Sequence, residues 1–205
     1  MKLVLTGGPS GGKTTLAMAI KKEFSTSVHI IPEAASILFQ GGWPRRKNVL
    51  GVQHQQKAIY YVQREMEALL YEENAGRLMI CDRGSLDGMA YWPGPGPGAD
   101  FLKSVGTTLE SEIARYHWVI HLDTAPEDSY DGTNPLRNEE FEEAWSLNQR
   151  IKDAWSHHPQ RIVIANHKGG HFLDKLRRAL NVVEMIIDKK SFAEVLEAAD
   201  RDLKS

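Results

Sequence analysis

The sequence has little cysteine, no long apolar run and no excess of basic charge. Cys81 is the only cysteine among 205 residues, which excludes an internal disulfide and favours a reducing compartment. No apolar run approaches the roughly 20 residues that a membrane-spanning helix needs. Met1-Lys2 leads directly into an apolar strand pattern and a glycine-rich turn. We therefore expect no signal peptide, no membrane span and a cytoplasmic location.

The charge balance argues against a nucleic-acid partner. The formal net charge is −2, so the surface as a whole lacks the basic character that attracts a phosphate backbone. Hydrophobic residues make up 41% of the chain and charged residues 25%, which is ordinary usage for a globular domain. The length favours one α/β domain over residues 1–205.

The most informative stretch is the glycine-rich segment 7–14, which follows the apolar run Leu3-Val4-Leu5. It matches G-x-x-x-x-G-K-[ST], whose glycines let successive backbone N–H groups form an anion site at a helix N-terminus. A chance glycine-rich turn is the alternative, but the flanking strand and helix patterns argue against it. Lys13 is predicted to bridge the β- and γ-phosphates and Thr14 to bind Mg²⁺. We predict that the nucleotide contacts Gly8, Pro9, Ser10, Gly11, Gly12, Lys13, Thr14 and Thr15.

Two carboxylates follow predicted strands. Glu33 comes after the strand pattern 28–31, and Asp82 ends the apolar run that begins at Leu78. The carboxyl ends of parallel strands meet at the ligand-binding edge of an open sheet, so Glu33 is a catalytic candidate. Asp82 is predicted to orient Mg²⁺ or its bound water, as the second half of a phosphate-binding-loop site. The alternative role for Asp82 is a plain helix cap.

A turn-rich segment with one arginine follows the predicted strand 117–123. We predict a lid over about residues 125–145, because such segments close over nucleotide and exclude water. Arg137 would stabilise charge on the transferred phosphoryl group, the alternative being a surface salt bridge to Glu139 or Glu140. Asn166 ends the last predicted strand, at the edge where a nucleotide base commonly rests, and is predicted to contact the nucleotide.

Helical patterns fill most of the remaining chain. The long stretch from about Val49 to Asn74 has helical spacing, residues 101–116 suggest two shorter pieces, and 172–187 and 191–203 are amphipathic. Side chains that could line a substrate pocket, or equally be solvated or part of the core, are Gln53, Gln56, Gln63, Arg64, Asp87, Tyr91 and Trp92.

With these residues in place, the chain resembles the P-loop nucleoside and nucleotide kinases, and among them the NadR-type AAA ATP-binding domain family. The likeness covers nearly the whole chain. It implies a three-layer α/β/α sandwich with a parallel sheet of about five strands and a small helical lid. The segments that carry it are the loop 7–15, Pro32-Glu33-Ala34, the stretch from Cys81-Asp82-Arg83-Gly84 to Trp92, and Leu136-Arg137-Asn138-Glu139.

The resemblance also implies site roles. In the related deoxynucleoside kinases a Pro-Glu after the second strand supplies the general base, so Glu33 would take a proton from a substrate hydroxyl. Arg83 would hold the acceptor and the phosphates. Two departures leave the acceptor open: Asp82-Arg83-Gly84 stands where those kinases have Glu-Arg-Ser, and the lid has one arginine rather than several.

The preferred hypothesis is an ATP- and Mg²⁺-dependent phosphotransferase that acts on a nucleoside, a nucleotide or a related small metabolite. The alternative is an ATP- or GTP-binding regulatory NTPase that hydrolyses nucleotide slowly and binds a partner. Asn166-His167-Lys168-Gly169 does not match the Asn-Lys-x-Asp loop that usually reads GTP, which disfavours a GTPase. The sequence leaves a homodimer open.

Overall fold

The computed structural model describes residues 1–94, 98–127, 141–166 and 171–201. Within these ranges five strands form one sheet in the order β2-β3-β1-β4-β5, with parallel pairing throughout. The strands are β1 (Lys2–Thr6), β2 (Val28–Ile31), β3 (Leu78–Asp82), β4 (Trp118–Leu122) and β5 (Arg161–Ile164). The helices are α1 (Lys13–Glu23), α2 (Ala34–Gln40), α3 (Val49–Glu73), α4 (Asp87–Tyr91), α5 (Ala99–Ser104), α6 (Leu109–Ile113), α7 (Phe141–Ala154), α8 (Phe172–Ile187) and α9 (Phe192–Arg201).

Helices cover both faces of the sheet, which explains why its central strands are continuously apolar. Leu3 and Leu5 of β1 point to one face and pack in a core with α1, α8 and α9. Val4, between them, points to the other face and packs in a second core with residues of α3, α4, α5 and α7. The result is the three-layer α/β/α sandwich that the sequence predicts.

The strand register brings the carboxyl ends of the central strands to one edge. Leu5 of β1 pairs with Asp82 of β3, and Thr6 pairs with His121 of β4. The glycine-rich loop after β1 therefore lies between Asp82 on one side and the residues after β4 on the other. This edge is the expected ligand-binding position in an open parallel sheet.

Most predicted elements are confirmed, including all five strands, the long helix α3 and the two short helices α5 and α6. The sequence did not indicate α2 and α4, of seven and five residues, because so short a helix shows little periodicity. Most of the predicted lid, with Arg137, lies outside the described residues. The assignment of one domain over the whole chain stays a prediction. No helix in the described ranges has the length and apolar character to cross a bilayer.

Candidate active site

The glycine-rich loop is packed too closely against β4 and α7 to accept side chains. Gly7 has a φ of 127°, and a Cβ there would collide with the Leu122 carbonyl oxygen. A Cβ on Gly8 would lie 2.7 Å from the Cβ of Asn148. Gly12, with a φ of 92°, precedes the first residue of α1. A loop of this kind presents backbone N–H groups and a helix N-terminus, which suits a phosphate chain.

Lys13 lies folded into this loop. Its ammonium donates to the carbonyl oxygens of Gly7 at 2.9 Å and Gly8 at 2.7 Å. Burial, together with the nearby positive charge of Arg83, lowers the pKa of Lys13 to about 7. An entering phosphate would supply the missing counter-charge and hold the lysine protonated. Thr14 and Thr15 are exposed at the start of α1, and Thr14 lines the adjoining cleft.

Asp82 ends β3 and lines the same cleft as Lys13 and Thr14. Within the described ranges its carboxylate neither accepts a hydrogen bond nor forms an ion pair. Burial and the nearby carboxylates Glu33 and Asp87 raise its pKa, although Lys13 opposes this. A carboxylate and a hydroxyl with free oxygens, beside a phosphate-binding loop, fit the hard oxygen ligands that Mg²⁺ takes.

Arg83 is the centre of a partly buried ionic cluster. Its Nε donates to Glu33 Oε1 at 2.6 Å and its NH1 to Asp87 Oδ2 at 3.2 Å. Asp87 also accepts from Thr6 Oγ1 at 2.8 Å and from Trp155 Nε1 at 2.7 Å. The cluster joins β1, the end of β3 and the segment after α7, and it fixes the guanidinium at the cleft.

Glu33 precedes α2 and accepts a 2.5 Å hydrogen bond from Ser36 as well as the bond from Arg83. Burial alone would raise the pKa of Glu33, but Arg83 and Ser36 together hold it below its ordinary value. Glu33 is therefore ionised at neutral pH and positioned, as a group that orients a hydroxyl must be.

A second network ties the glycine-rich loop to α7. The buried Asn148 accepts at Oδ1 from the backbone N–H of Gly8 at 2.9 Å and from Nε2 of His121 at 3.0 Å. Its Nδ2 donates to Asp123 at 2.9 Å, and Lys152 pairs with the same carboxylate at 2.7 Å. Residue spacing gave no sign of this contact, because Gly8 and Asn148 are 140 residues apart.

A cleft of about 550 Å³ opens from Lys13, Thr14 and Asp82 toward α2, α3, α4 and α7. Its walls include the aromatic rings of Phe39, Tyr60, Tyr91 and Phe101 and the amides of Gln40, Gln55, Gln56 and Gln63. Of the candidates that the sequence suggested, Gln56, Gln63, Asp87 and Tyr91 line this cleft. Gln53, Arg64 and Trp92 are not among its lining residues. Sequence reasoning missed three positioning residues: Thr6 and Trp155, which hydrogen-bond to Asp87, and Asn148, which accepts from the Gly8 N–H.

Asn166 lies past β5, on the same edge of the sheet, with its amide engaged by the protein. Its Nδ2 donates to the Thr124 carbonyl at 2.5 Å, and its Oδ1 accepts from Lys175 at 3.0 Å. Its contact with a nucleotide stays a prediction. The loop 167–170, which follows it, lies outside the described residues.

Solved structures with the same fold include two thymidylate kinases and a deoxyadenosine kinase. Thymidylate kinase from Ehrlichia chaffeensis has a TM-score of 0.62 at 15% identity, covering 91% of this chain and 98% of that chain. Deoxyadenosine kinase from M. mycoides, solved with bound dATP, has a TM-score of 0.57 at 16% identity, and the match covers 90% of this chain and 99% of that chain. Thymidylate kinase from Candida albicans has a TM-score of 0.58 at 13% identity, and the match covers 92% of this chain and 91% of that chain.

The sequence matches a family model, although no curated protein matches the chain significantly. A family model described as an AAA domain matches residues 2–172, a span that includes the glycine-rich loop, Glu33, Asp82 and Arg83. With this match and a sheet shared with solved P-loop kinases, the chain belongs to the AAA domain family and has a P-loop kinase-like α/β fold.

Proposed function

We propose that the protein is an ATP- and Mg²⁺-dependent phosphotransferase that acts on a small acceptor, a nucleoside, a nucleotide or a related metabolite. The observation that carries the proposal is the 550 Å³ cleft, which begins at Lys13, Thr14 and Asp82 and continues away from the phosphate-binding loop. A protein that only binds and hydrolyses ATP needs no cleft that extends beyond its nucleotide. Its volume falls in the range typical of small-molecule sites.

The residues of the loop would bind and neutralise the phosphates. Backbone N–H groups of the loop and the Lys13 ammonium would contact the β- and γ-phosphates, while Thr14 and Asp82 would hold Mg²⁺. The metal, when bound, supplies charge compensation for the phosphoryl group. Arg83 would contact the acceptor or the γ-phosphate from the cleft side. Arg137, from the predicted lid, is proposed to add a further positive charge.

Transfer requires an acceptor oxygen held in line with the γ-phosphorus. A new bond would form between that oxygen and the phosphorus as the bond to the bridging oxygen breaks, releasing ADP. Glu33 would orient an acceptor hydroxyl and take its proton. Most of the rate enhancement would come from positioning and electrostatics, since this chemistry asks little covalent participation from the protein.

The related structures support this reading of the cleft. Proteins named as thymidylate kinases and as a deoxyadenosine kinase share the fold over nine-tenths of this chain or more. Those names include both a nucleotide and a nucleoside as acceptor, so they favour the class of reaction and leave the acceptor open.

The test is consumption of ATP and of GTP with Mg²⁺, in the presence of nucleosides, nucleoside monophosphates and pyridine ribosides. We expect one acceptor to raise turnover at least tenfold above the rate with water, with a phosphorylated product detected by mass. Lys13→Ala should abolish this turnover, whereas Lys21→Ala, at an exposed position of the same helix, should not change it. A slow basal rate that no acceptor raises would contradict the proposal and favour a regulatory NTPase.

A further inference from the structure

Two arginines line the cleft without an ion-pair partner among the described residues. Arg45 follows α2, Arg150 lies on α7, and both contribute to the lining. The third cleft arginine, Arg83, pairs with Glu33 and Asp87. Neither Arg45 nor Arg150 has an ion-pair partner in the part of the chain that the structure describes. Each guanidinium carries a permanent positive charge that forms no ion pair with a carboxylate of the described residues.

Arg45 is held in place by contacts that leave its charge available. Its guanidinium lies 4.0 Å from the centre of the Phe39 ring, a second lining residue. The buried Gln55 of α3 fixes the adjacent backbone, accepting from the Arg46 N–H at 2.8 Å and donating to the Arg46 carbonyl at 3.2 Å. Holding an arginine in this way lowers the entropy that a ligand must remove on binding.

Arg150 lines the same cleft, on a helix whose position is also fixed. It shares one face of α7 with Glu143 and Leu147, which line the cleft at helical spacing. Asn148, two residues before Arg150 on the same helix, bonds to the glycine-rich loop through the Gly8 N–H. The helix that carries Arg150 is therefore positioned relative to the site that would hold the ATP phosphates.

We propose that the acceptor is itself a phosphate monoester, such as a nucleoside monophosphate, whose phosphate is bound by Arg45 and Arg150. The proposal rests on the proposed function and narrows its acceptor class. The planar guanidinium matches phosphate through two parallel hydrogen bonds. The other cleft cations do not supply this counter-charge, because the charge of Arg83 is already balanced by Glu33 and Asp87, and Lys13 lies in the loop proposed for the ATP phosphates. The aromatic walls leave room for a ring attached to the phosphate.

The experiment uses matched pairs of acceptors, each nucleoside beside its 5′-monophosphate, with the full chain, ATP and Mg²⁺. We expect turnover with monophosphates and little with nucleosides. Arg45→Gln and Arg150→Gln should each raise the KM for the monophosphate about tenfold or more, as expected for losing a hydrogen bond to a charged group. The KM for ATP should change less than twofold. Lys47→Gln, at an exposed basic position two residues from Arg45, is the control and should leave both values unchanged.

Two outcomes would overturn the inference and leave the kinase function intact. In the first, nucleosides or acidic ribosides without a phosphate are better acceptors than monophosphates. In the second, neither arginine variant alters the KM for the monophosphate. Loss of all acceptor-dependent turnover would contradict the proposed function instead. In that case, calorimetric measurement of nucleoside and monophosphate binding, with a non-hydrolysable ATP analogue present, tests the inference without requiring turnover. Monophosphates that bind no more tightly than nucleosides, or equally well to Arg45→Gln, would reject it.

Discussion

Arg83 shows how a single residue can be held in an unfavourable conformation at the site. Its φ is 74°, in the left-handed region that side chains disfavour. The conformation directs its side chain to Glu33 and Asp87, while its carbonyl accepts from Gln63 at 3.3 Å. Such strain persists only where surrounding contacts over-determine it. The contacts of Arg83 with α3, α4 and the start of α2 meet that condition.

Asp87→Asn tests whether this positioning matters for turnover. The variant keeps an oxygen for the Thr6 and Trp155 bonds but removes the charge opposite Arg83. We expect acceptor-dependent kcat to fall about tenfold or more, by roughly the value of a charged hydrogen bond, with ATP affinity within twofold of the original. Steady-state kinetics and ATP titration measure the two effects.

The matched control for this change is Asp100→Asn, at an exposed position on α5, which should leave kcat unaltered. An equal loss of ATP affinity and kcat in Asp87→Asn would contradict the positioning role. It would indicate a general disturbance of the phosphate-binding loop.

At the scale of elements, sequence patterns predicted a strand or helix correctly where its apolar spacing and the residues that end it agree. The strand β2 was predicted to the residue and β1 from the apolar run Leu3-Val4-Leu5 at its centre, because each is a short apolar pattern bounded by a clear break. The helix α3 was predicted within one residue from its apolar stripe and the following glycine. The helices α2 and α4 escaped prediction because tertiary packing, rather than repeat pattern, determines them.

The residues of the candidate site likewise fall into those that the sequence predicts and those that only the folded structure brings together. The loop residues, Glu33 and Asp82 could be named because each lies at or just after the end of a recognisable strand, and Arg83 because of the resemblance to the nucleoside kinases. The partners that position them could not, since Trp155 contacts Asp87 over 68 residues and Asn148 contacts Gly8 over 140. Arg45 and Arg150 carry no motif, and their place in the cleft depends on how α2, α3 and α7 pack.

The helix α3 is joined to the sheet by a fully buried carboxylate, Glu67. It pairs with Lys2 at 3.1 Å and Arg115 at 2.7 Å and accepts from the Tyr116 hydroxyl at 2.7 Å. Gln63, on the same helix, donates both to Glu67 and to the Arg83 carbonyl. The contact therefore links the long cleft helix to β1 and to the segment before β4.

Glu67→Gln should destabilise the protein by roughly 3 kcal/mol, because it leaves the largely buried Lys2 without its counter-charge and Arg115 with only the longer pair to Glu112 at 3.4 Å. Glu65→Gln, exposed on the same helix, is the matched control and should change the free energy of unfolding by less than about 0.5 kcal/mol. Urea unfolding at pH 7.5 measures both. Equal stability of the two variants would show that the buried pairs contribute nothing net.

At the scale of the whole molecule, two buried histidines, His121 and His158, make the stability of the fold sensitive to pH. His158 donates from Nε2 to the Tyr116 carbonyl at 3.1 Å, and its Nδ1 accepts from the Gln160 N–H at 3.2 Å. His121 donates from Nε2 to Asn148, and its Nδ1 is buried without a hydrogen-bond partner among the described residues. Protonation of His158 at Nδ1 would place an N–H against the N–H of Gln160, and protonation of His121 at Nδ1 would bury an N–H that has no acceptor in the described part of the chain.

Burial accordingly lowers the pKa of both His121 and His158 below the ordinary value of 6.5. Below pH 6.5 the unfolded chain binds protons at these positions that the folded protein does not, so stability must fall as the pH falls through that value. Each residue can contribute up to about 1.4 kcal/mol per pH unit. We expect the free energy of unfolding to drop by about 1 to 3 kcal/mol between pH 7.5 and 5.5.

The double variant His121→Gln/His158→Gln separates this effect from that of other titrating groups. Glutamine can keep the donor at the Nε2 position but has no pKa in this range. Asp82, whose pKa burial raises, acts in the opposite direction, since its protonation in the folded state adds stability as the pH falls. Urea unfolding at the two pH values should therefore show a clearly smaller loss of stability in the double variant. An unchanged or larger loss would mean that other groups determine the pH dependence of folding.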